Sequence, residues 1–283
     1  MTLDDMRATS PPVPYFLADG VTLYHGDARD VLPTLPRGSV DLLVMDPPYG
    51  QAWRSGCRRT SAKFAVMEGD EGPFDAAGVL RLALPVLRNN RHLYVFGPAD
   101  LSGLPITPPV DLIWAKGQVN AGDVRSPWGP AHERIAFSTY VPSAANRQRG
   151  DGVGAARLRR GSVISVPRLN SRGVKRHPTE KPVLLLQILI ESSSTFGETV
   201  LDPFAGSGST LEAAVREGRR AIGIEVNEAF CEGIAERLSS HRGDVFAAID
   251  GAVIVVEPTD CQHRTWLTMD PPVCAGCGMV GDR

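Results

Sequence analysis

The sequence predicts an α/β protein built on a doubly wound, mostly parallel, Rossmann-like sheet. Three observations support this prediction: short apolar runs alternate with helical patterns, a glycine-rich loop follows one run, and an acidic residue ends the next run. Continuous apolar runs are typical of parallel strands that are buried on both faces. Their dense alternation with helices favours a doubly wound sheet.

Each element follows from a local pattern. Strands are predicted at 21–24, 40–45, 92–96, 111–115, 133–138, 199–201 and 221–225, with a further short strand at 162–166. Helices are predicted at 75–87, 182–195 and 210–217, and Asn227 can cap a last helix. The helix at 182–195 is apolar nearly all round, so we expect it to be buried.

Length and composition exclude several classes of protein. A chain of 283 residues suits one large domain, or a domain with an appendage. With 42% apolar and 22% charged residues, it does not have the composition of a disordered chain. The sequence contains no apolar run of about 18 residues and no signal-peptide core, and its five cysteines are an odd number. We therefore expect a cytoplasmic protein in a reducing compartment.

The glycine-rich loop at 201–210 lies between a predicted strand and a predicted helix. Gly206 and Gly208 permit a tight turn, and Glu225, nineteen residues after Gly206, can accept hydrogen bonds from ribose hydroxyls. Leu211 stands where a dinucleotide-binding loop would have its third glycine, and no Gly-Lys-Ser/Thr follows. Asp202 suits a cationic ligand better than a pyrophosphate. The loop therefore predicts an adenosine cofactor with a positive centre, S-adenosylmethionine.

A second signal, Asp46-Pro47-Pro48-Tyr49, directly follows an apolar strand. Two prolines hold a rigid turn, so the Asp46 carboxylate and the Pro47 carbonyl can both accept hydrogen bonds from an exocyclic NH2 group. Tyr49 offers a face on which a base can stack, worth about 1–3 kcal/mol. An amine that attacks a sulfonium methyl needs positioning and a proton acceptor, and these four residues are the catalytic candidates. The alternative is a proline-rich turn that caps a strand.

Together these two motifs resemble those of the S-adenosylmethionine-dependent DNA amino-methyltransferases, which methylate adenine N6 or cytosine N4. The catalytic motif precedes the cofactor motif, which is the circularly permuted order of the beta subgroup. Residues 25–28, 114–116, 132–134 and 177–182 are similar to further elements of this family, and the resemblance covers about residues 20–240. It implies a cofactor site formed by Asp27, Ala28, Asp46, His177, Thr179, Lys181, Asp202, Pro203, Phe204, Gly206, Gly208, Ser209, Thr210 and Glu225.

The resemblance also predicts how the chain is divided. We expect a flexible N-terminus (1–16), a catalytic half (17–139), a small inserted target-recognition segment (140–176), a cofactor-binding half (177–242) and a tail (243–283).

Charge is concentrated around the predicted recognition segment. Residues 141–181 contain ten basic and two acidic side chains, so they carry +8 within a chain of net charge −2. Eight of the ten are arginines, which favour bidentate contacts to phosphate or guanine. The alternative is a solvated linker. The candidate DNA-binding residues are Arg54, Arg58, Arg59, Arg147, Arg149, Arg157, Arg159, Arg160, Arg172 and Lys175.

The tail holds four soft ligands within seventeen residues, Cys261, His263, Cys274 and Cys277. They could form a structural tetrahedral zinc site, although the Cys-x-His spacing is tighter than usual. The alternative is an unstructured, reduced tail.

The predicted activity is methyl transfer to adenine N6 of a base flipped out of double-stranded DNA. The Asp that opens the tetrapeptide is commoner in adenine enzymes of the resembled family, and cytosine N4 is the alternative target. A nicotinamide-dependent oxidoreductase and a catalytically dead DNA-binding module are less favoured, and amide methyltransferases usually open the motif with Asn. We expect a prokaryotic or phage-encoded, nucleoid-associated restriction–modification enzyme, and a homodimer is left open.

Overall fold

The computed structural model describes residues 12–18, 20–48, 74–117, 128–129, 131–143, 160–168 and 180–240, and two short strands in the tail. The strands are β1 (Phe16–Ala18), β2 (Val21–His25), β3 (Val40–Met45), β4 (Leu87–Phe96), β5 (Val110–Ala115), β6 (His132–Thr139), β7 (Val163–Ser165), β8 (Thr199–Asp202), β9 (Arg220–Glu225), β10 (Trp266–Leu267) and β11 (Val273–Cys274). The α-helices are α1 (Ala28–Val31), α2 (Ala76–Ala83), α3 (Val183–Ser193), α4 (Ser209–Arg216) and α5 (Glu228–Ser240).

Nine strands form one sheet in the order β1-β2-β9-β8-β3-β4-β6-β5-β7, and β10 pairs separately with β11. The central strands β2, β9, β8, β3 and β4 are all parallel. Strand β6 runs antiparallel to both of its neighbours, β4 and β5, and β1 runs antiparallel to β2. The predicted doubly wound, mostly parallel sheet is confirmed.

Hydrophobic side chains cover both faces of the sheet. All six residues of β3 are buried, with Leu42 and Val44 in the core under α3, α4 and α5, and Leu43 and Met45 in the core under α1 and α2. This arrangement explains the continuous apolar run, since a strand covered on two faces has no solvent side to mark with polar residues.

An ion-pair cluster fixes the amino-terminal ends of two central strands. The Asp41 carboxylate, 2% exposed, accepts a hydrogen bond from the backbone N–H of Thr199 on β8 at 3.0 Å. The Arg91 guanidinium lies 3.1 Å from Asp41 and 2.7 Å from Glu198, so it bridges β3 to the residue before β8. These contacts pin β3 and β8 in the register that pairs Leu42 with Val200 and Leu43 with Leu201.

Several elements differ from the sequence-based expectation: β1, α1, β10 and β11 were not predicted, and α2 and β4 have other bounds. Strand β1 was not predicted, yet the Tyr15 N–H donates to the Leu23 carbonyl at 2.8 Å and extends the sheet by one strand. Helix α2 ends at Ala83, because Pro85 cannot continue it, and β4 begins earlier than expected. Asn90, at φ +62°, interrupts the extended backbone of β4. The polar residues 88–91 hide the first half of this strand in the sequence.

The expectation that the helix at 182–195 is buried is wrong for one face. Leu185, Leu186, Leu189 and Ile190 are buried against the sheet, whereas Leu184 is 56% exposed. Because Leu184 is apolar like the buried residues around it, the sequence could not show that this position is exposed.

A glycine in a strand provides the close packing that a third loop glycine would otherwise give. Leu211 on α4 is fully buried, and a Cβ added to Gly223 on β9 would lie 2.8 Å from its Cδ2 atom. The close approach of helix and strand is therefore made possible by Gly223, which explains why Leu211 is compatible with the loop.

Replacing Gly223 with alanine tests this packing. We expect Gly223→Ala to lower the free energy of unfolding by about 1–3 kcal/mol, since Leu211 must shift within a filled core. In a Leu211→Ala background the cost should shrink, because the clashing atoms are gone. Urea unfolding of the wild type, the two single variants and the double variant gives the coupling free energy between residues 211 and 223.

The matched control is Gly233→Ala on α5, where an added Cβ meets nothing within 4 Å. It should leave stability unchanged, or raise it by up to about 1 kcal/mol through helix propensity. Equal stability of Gly223→Ala and the wild type would contradict the packing argument.

Among the residues that the structure describes, no helix is long and apolar enough to span a membrane.

Candidate active site

The two sequence motifs meet at the carboxyl edge of the sheet. Strands β3 and β8 are parallel neighbours, Asp46 directly follows β3, and Asp202 is the last residue of β8. The chain reaches β9 and β2 on one side of this pair and β4 on the other, so the winding reverses here. In open α/β sheets a ligand crevice forms at this type of switch point.

Asp202 is a buried acid, with 4% of its surface exposed. Its Oδ1 atom accepts a hydrogen bond from the Phe204 N–H at 3.0 Å. Burial raises the pKa of Asp202 to about 7, and the charges of Asp46 and Glu225 add to the rise, whereas bonds from Thr210 and Phe204 oppose it. Asp202 therefore lies within electrostatic reach of two other carboxylates at this edge of the sheet, an arrangement that suits a positively charged ligand.

Glu225 ends β9 and ties the glycine loop to it. The Gly206 N–H donates to Oε2 at 2.8 Å, and the Asn227 N–H donates to Oε1 at 2.9 Å. The side chain is buried, and burial raises its pKa despite these hydrogen bonds. Glu225, which was predicted to accept hydrogen bonds from ribose hydroxyls, thus also fixes the loop.

The loop itself depends on two glycines with positive φ. Gly206 has φ +53° and Gly208 has φ +80°, both in the region that favours glycine. Helix α4 begins directly afterwards at Ser209, and a Cβ on Gly208 would come within 3.0 Å of Ile234 on α5. The turn therefore needs glycine for its conformation and for the close approach of α5.

Sequence reasoning missed Arg237, which holds the loop from behind. This buried guanidinium donates to the Ser207 carbonyl at 2.9 Å and to Glu180 at 2.8 Å, and it also pairs with the buried Glu212 on α4. Its only sequence signal is an arginine close to the apolar stripe of a helix, which is not distinctive. The contacts join α4, α5 and the residues before α3 around the loop.

Lys181 lies beside Asp46, the first residue of the predicted catalytic turn. Its Nζ atom donates to Asp46 Oδ2 at 2.7 Å, and only 7% of the residue is exposed. Burial lowers the pKa of Lys181, but the charges of Asp46 and Glu133 more than offset this, so the net shift is upward. The resemblance assigned Lys181 to the cofactor site, and the structure brings it into contact with the catalytic candidate.

Asp27 and Ala28 lie at the same edge, two strands away from β8. Asp27 follows β2 and caps α1 by accepting from the Arg29 N–H at 2.8 Å. The hydrogen bond from the Arg29 side chain lowers the pKa of Asp27. Because His25 on β2 is in register with Glu225 on β9, Asp27 is adjacent to the end of β9.

Several predicted residues lie outside the described part of the chain. These are Tyr49, Arg54, Arg58, Arg59, Arg147, Arg149, Arg157, Arg159, Arg172, Lys175, His177, Thr179, Cys261, His263 and Cys277. For Cys274 the structure describes only that it belongs to β11. Within the described residues no cluster of His, Cys, Asp or Glu could hold a metal ion. Arg160 is described, and it pairs with Glu191 on α3.

Comparison with known proteins agrees with this geometry. A family model described as DNA methylase, of the N6/N4 type, matches residues 108–237. The putative methylase YubD of Escherichia coli K12 is 54% identical over 221 residues, covering 76% of this chain and 88% of that protein. The DNA adenine methyltransferase YhdJ of the same organism is 29% identical over 245 residues, covering 74% and 79%.

Solved structures share the fold at lower identity. The complex of M1.HpyAVI with SAM has a TM-score of 0.56 at 18% identity, covering 77% of this chain and 99% of that one. The cytosine-N4-specific PvuII DNA methyltransferase has a TM-score of 0.57 at 16% identity, covering 83% and 94%. Because the family model and a relative at 54% identity agree with the motifs, the predicted family is confirmed: the chain belongs to the S-adenosylmethionine-dependent DNA amino-methyltransferases of the N6-adenine or N4-cytosine type.

Proposed function

We propose that the protein transfers the methyl group of S-adenosylmethionine to the N6 amino group of adenine in double-stranded DNA. The observation that carries this proposal is the placement of Asp46-Pro47-Pro48 and Asp202 at the carboxyl ends of adjacent strands. One crevice can then hold a target amine against the first motif and a cationic cofactor against the second.

The residues of the first motif have the chemistry that the target amine requires. The Asp46 carboxylate and the Pro47 carbonyl accept hydrogen bonds from the two N–H bonds of the exocyclic group, which orients the nitrogen lone pair. Asp46 also receives the proton that the amine must lose. Tyr49 is proposed to stack against the flipped base.

The cofactor would supply an electrophilic methyl group on a positively charged sulfur. Burial and then the neighbouring carboxylates raise the pKa of Asp202 to about 7, and a cation beside this acid would favour its ionised form. Glu225 is proposed to accept from the ribose and Asp27 to contact the adenine. Pro203, Phe204, Gly206, Gly208, Ser209 and Thr210 form the turn, and Ala28, His177, Thr179 and Lys181 complete the proposed site.

The proposed division of the chain fits these roles. The halves at 17–139 and 177–242 each contribute one motif, and the basic segment at 140–176 lies between them in sequence. Within it, β7 pairs with β5, so the segment is anchored on the main sheet. We propose that its arginines, together with Arg54, Arg58 and Arg59, bind the DNA.

Cytosine N4 is the second candidate target. Similarity to the PvuII enzyme, a cytosine-N4-specific DNA methyltransferase, favours it. Similarity to YhdJ, a DNA adenine methyltransferase, and the Asp that opens the motif favour adenine. Nucleoside analysis of DNA labelled from tritiated cofactor separates the two.

We further propose that Cys261, His263, Cys274 and Cys277 bind one structural zinc ion. Metal analysis of the purified protein should find about one zinc per chain, and Cys277→Ser should lose it. Absence of zinc from wild-type protein purified without chelator would contradict this proposal.

Separate variants of the two motifs test the proposed function. Asp46→Ala should lower kcat by at least about 100-fold, since it removes the proton acceptor, and should leave cofactor affinity within about threefold. Asp202→Ala should weaken cofactor binding by about 10–100-fold, because a charge-assisted contact is lost. Tritium transfer to DNA and calorimetry measure the two effects.

The matched control for these variants is Asp111→Ala on β5. It removes a half-exposed carboxylate that pairs with Arg134 on β6. It should change neither kcat nor cofactor affinity. Loss of cofactor binding in Asp46→Ala, with normal binding in Asp202→Ala, would contradict the assignment.

The raised pKa of Asp202 predicts that cofactor affinity depends on pH. A bound cation favours the ionised carboxylate, so the affinity should be full above pH 7 and should fall as pH drops below the pKa of about 7. The expected loss approaches about tenfold per pH unit. Calorimetry between pH 5.5 and 8.5 measures it.

S-adenosylhomocysteine is the control ligand, because its sulfur is uncharged while its ribose and amino-acid groups are the same. Its affinity should vary less with pH, and Asp202→Asn should remove the difference between the two ligands. Identical pH profiles for both ligands with the wild-type protein would contradict a sulfonium site at Asp202.

A further inference from the structure

Four side chains of alternating charge form a row that leads away from Asp46, the catalytic candidate. Lys181 Nζ lies 2.7 Å from Asp46 Oδ2 and 3.8 Å from Glu133 Oε2, and Lys116 Nζ lies 3.6 Å from the same Glu133 oxygen. The four residues come from different places: the end of β3, the residues before α3, strand β6 and the residue after β5. The proposed function so far uses only Asp46 and Lys181.

Burial makes these charges interact strongly. The side chains of Lys181 and Lys116 are 8% and 14% exposed, and those of Asp46 and Glu133 are both 23% exposed. Each ammonium also faces an aromatic ring at 5.0 Å, Phe96 for Lys181 and Trp114 for Lys116. Because little water reaches these charges, they attract one another strongly and hold one another in a fixed geometry.

The outer end of this row of charged side chains, Lys116, is fixed by residues 166–168, which lie in sequence between the catalytic and the cofactor-binding halves of the protein. The Arg168 N–H donates to the Lys116 carbonyl at 3.4 Å, and the Val166 N–H donates to the Ala115 carbonyl at 3.3 Å. The Trp114 indole N–H donates to the Val166 carbonyl at 2.8 Å. The backbone of Lys116 and the ring of Trp114 are therefore both held by the main chain of residues 166–168.

Lys181 has more than one carboxylate within its electrostatic reach. The charge of Asp202 acts on it in addition to those of Asp46 and Glu133. An ammonium among several acids needs a constraint if it is to stay paired with one of them. Glu133, 3.8 Å from the Lys181 ammonium, supplies that constraint, and Lys116 compensates the charge of Glu133.

We propose that Lys181 and Glu133 are positioning residues of the methyl transfer, with Lys116 as their outer anchor. Lys181 holds the Asp46 carboxylate oriented toward the target amine, and Glu133 keeps Lys181 on Asp46 instead of Asp202. This inference rests on the proposed function, because it assigns Asp46 to the reacting amine. Lys181 pairs directly with Asp46, and the charge of Asp46 acts on Asp202. Glu133 and Lys116 face Lys181 and each other, and Glu225 adds a charge that acts on Asp202.

The test measures kcat, KM for DNA, cofactor affinity and the pH profile of kcat in three variants of the full chain. Glu133→Gln should lower kcat about tenfold or more, with KM and cofactor Kd within about threefold, because a misaligned acceptor slows the chemical step. Lys181→Met should lower kcat further and move the acid limb of the profile up by about one pH unit or more. Lys181→Arg should restore the acid limb but only part of kcat, since the guanidinium keeps the charge and changes the geometry.

Asp111→Asn is the matched control, because it makes the same acid-to-amide exchange in an exposed ion pair on β5. It should retain the kinetics of the wild type. If Lys181→Met does not fold, as judged by circular dichroism, Glu133→Gln and Lys181→Arg carry the test.

If the wild-type protein methylates DNA, three results would overturn this inference and leave the proposed function intact. One is an unaltered kcat and pH profile in Glu133→Gln. Another is a loss that saturating cofactor fully restores, which would show that Lys181 acts only by binding the cofactor and does not position Asp46. The third is a loss explained entirely by a smaller folded fraction. Absence of transfer by the wild-type protein would instead overturn the proposed function, and this inference with it.

Discussion

The parallel pairing of β3 with β8 is the constraint on which the site depends. It brings Asp46 and Asp202 to one edge of the sheet although the two motifs lie in different halves of the chain. Two carboxylates so close to each other repel, and burial adds to the cost. Lys181 offsets that cost at Asp46, and a raised pKa lessens it at Asp202. A cation in the crevice would complete the balance.

Contacts at both ends of these strands support the pairing. At the amino-terminal end, Asp41 and Arg91 connect β3 to Glu198 and to the first residue of β8. At the carboxyl end, Glu225 and Arg237 hold the glycine loop through its backbone. The strand pairing that brings the two motifs together is therefore supported at both ends. Such support suits a reaction that depends on positioning rather than on a covalent enzyme intermediate.

Much of the fold and both motifs could be predicted because their signals are local. A buried strand appears as an apolar run, and Asp46-Pro47-Pro48 and Gly206 with Gly208 are contiguous or nearly so. The supporting contacts could not be predicted, since partners such as Lys181 and Asp46, or Arg237 and Glu180, are far apart in sequence. Glu225 was predicted as a ligand residue, yet its tie to Gly206 depends on how tightly the loop turns.

The most direct test of the account is to incubate the full chain with tritiated S-adenosylmethionine and double-stranded DNA, and to identify the labelled nucleoside. A crevice in which Asp46 and Pro47 receive the amino group of adenine predicts label in N6-methyladenine. Label in N4-methylcytosine would contradict the assigned target, and absence of label in any DNA from folded, cofactor-binding protein would contradict the central claim.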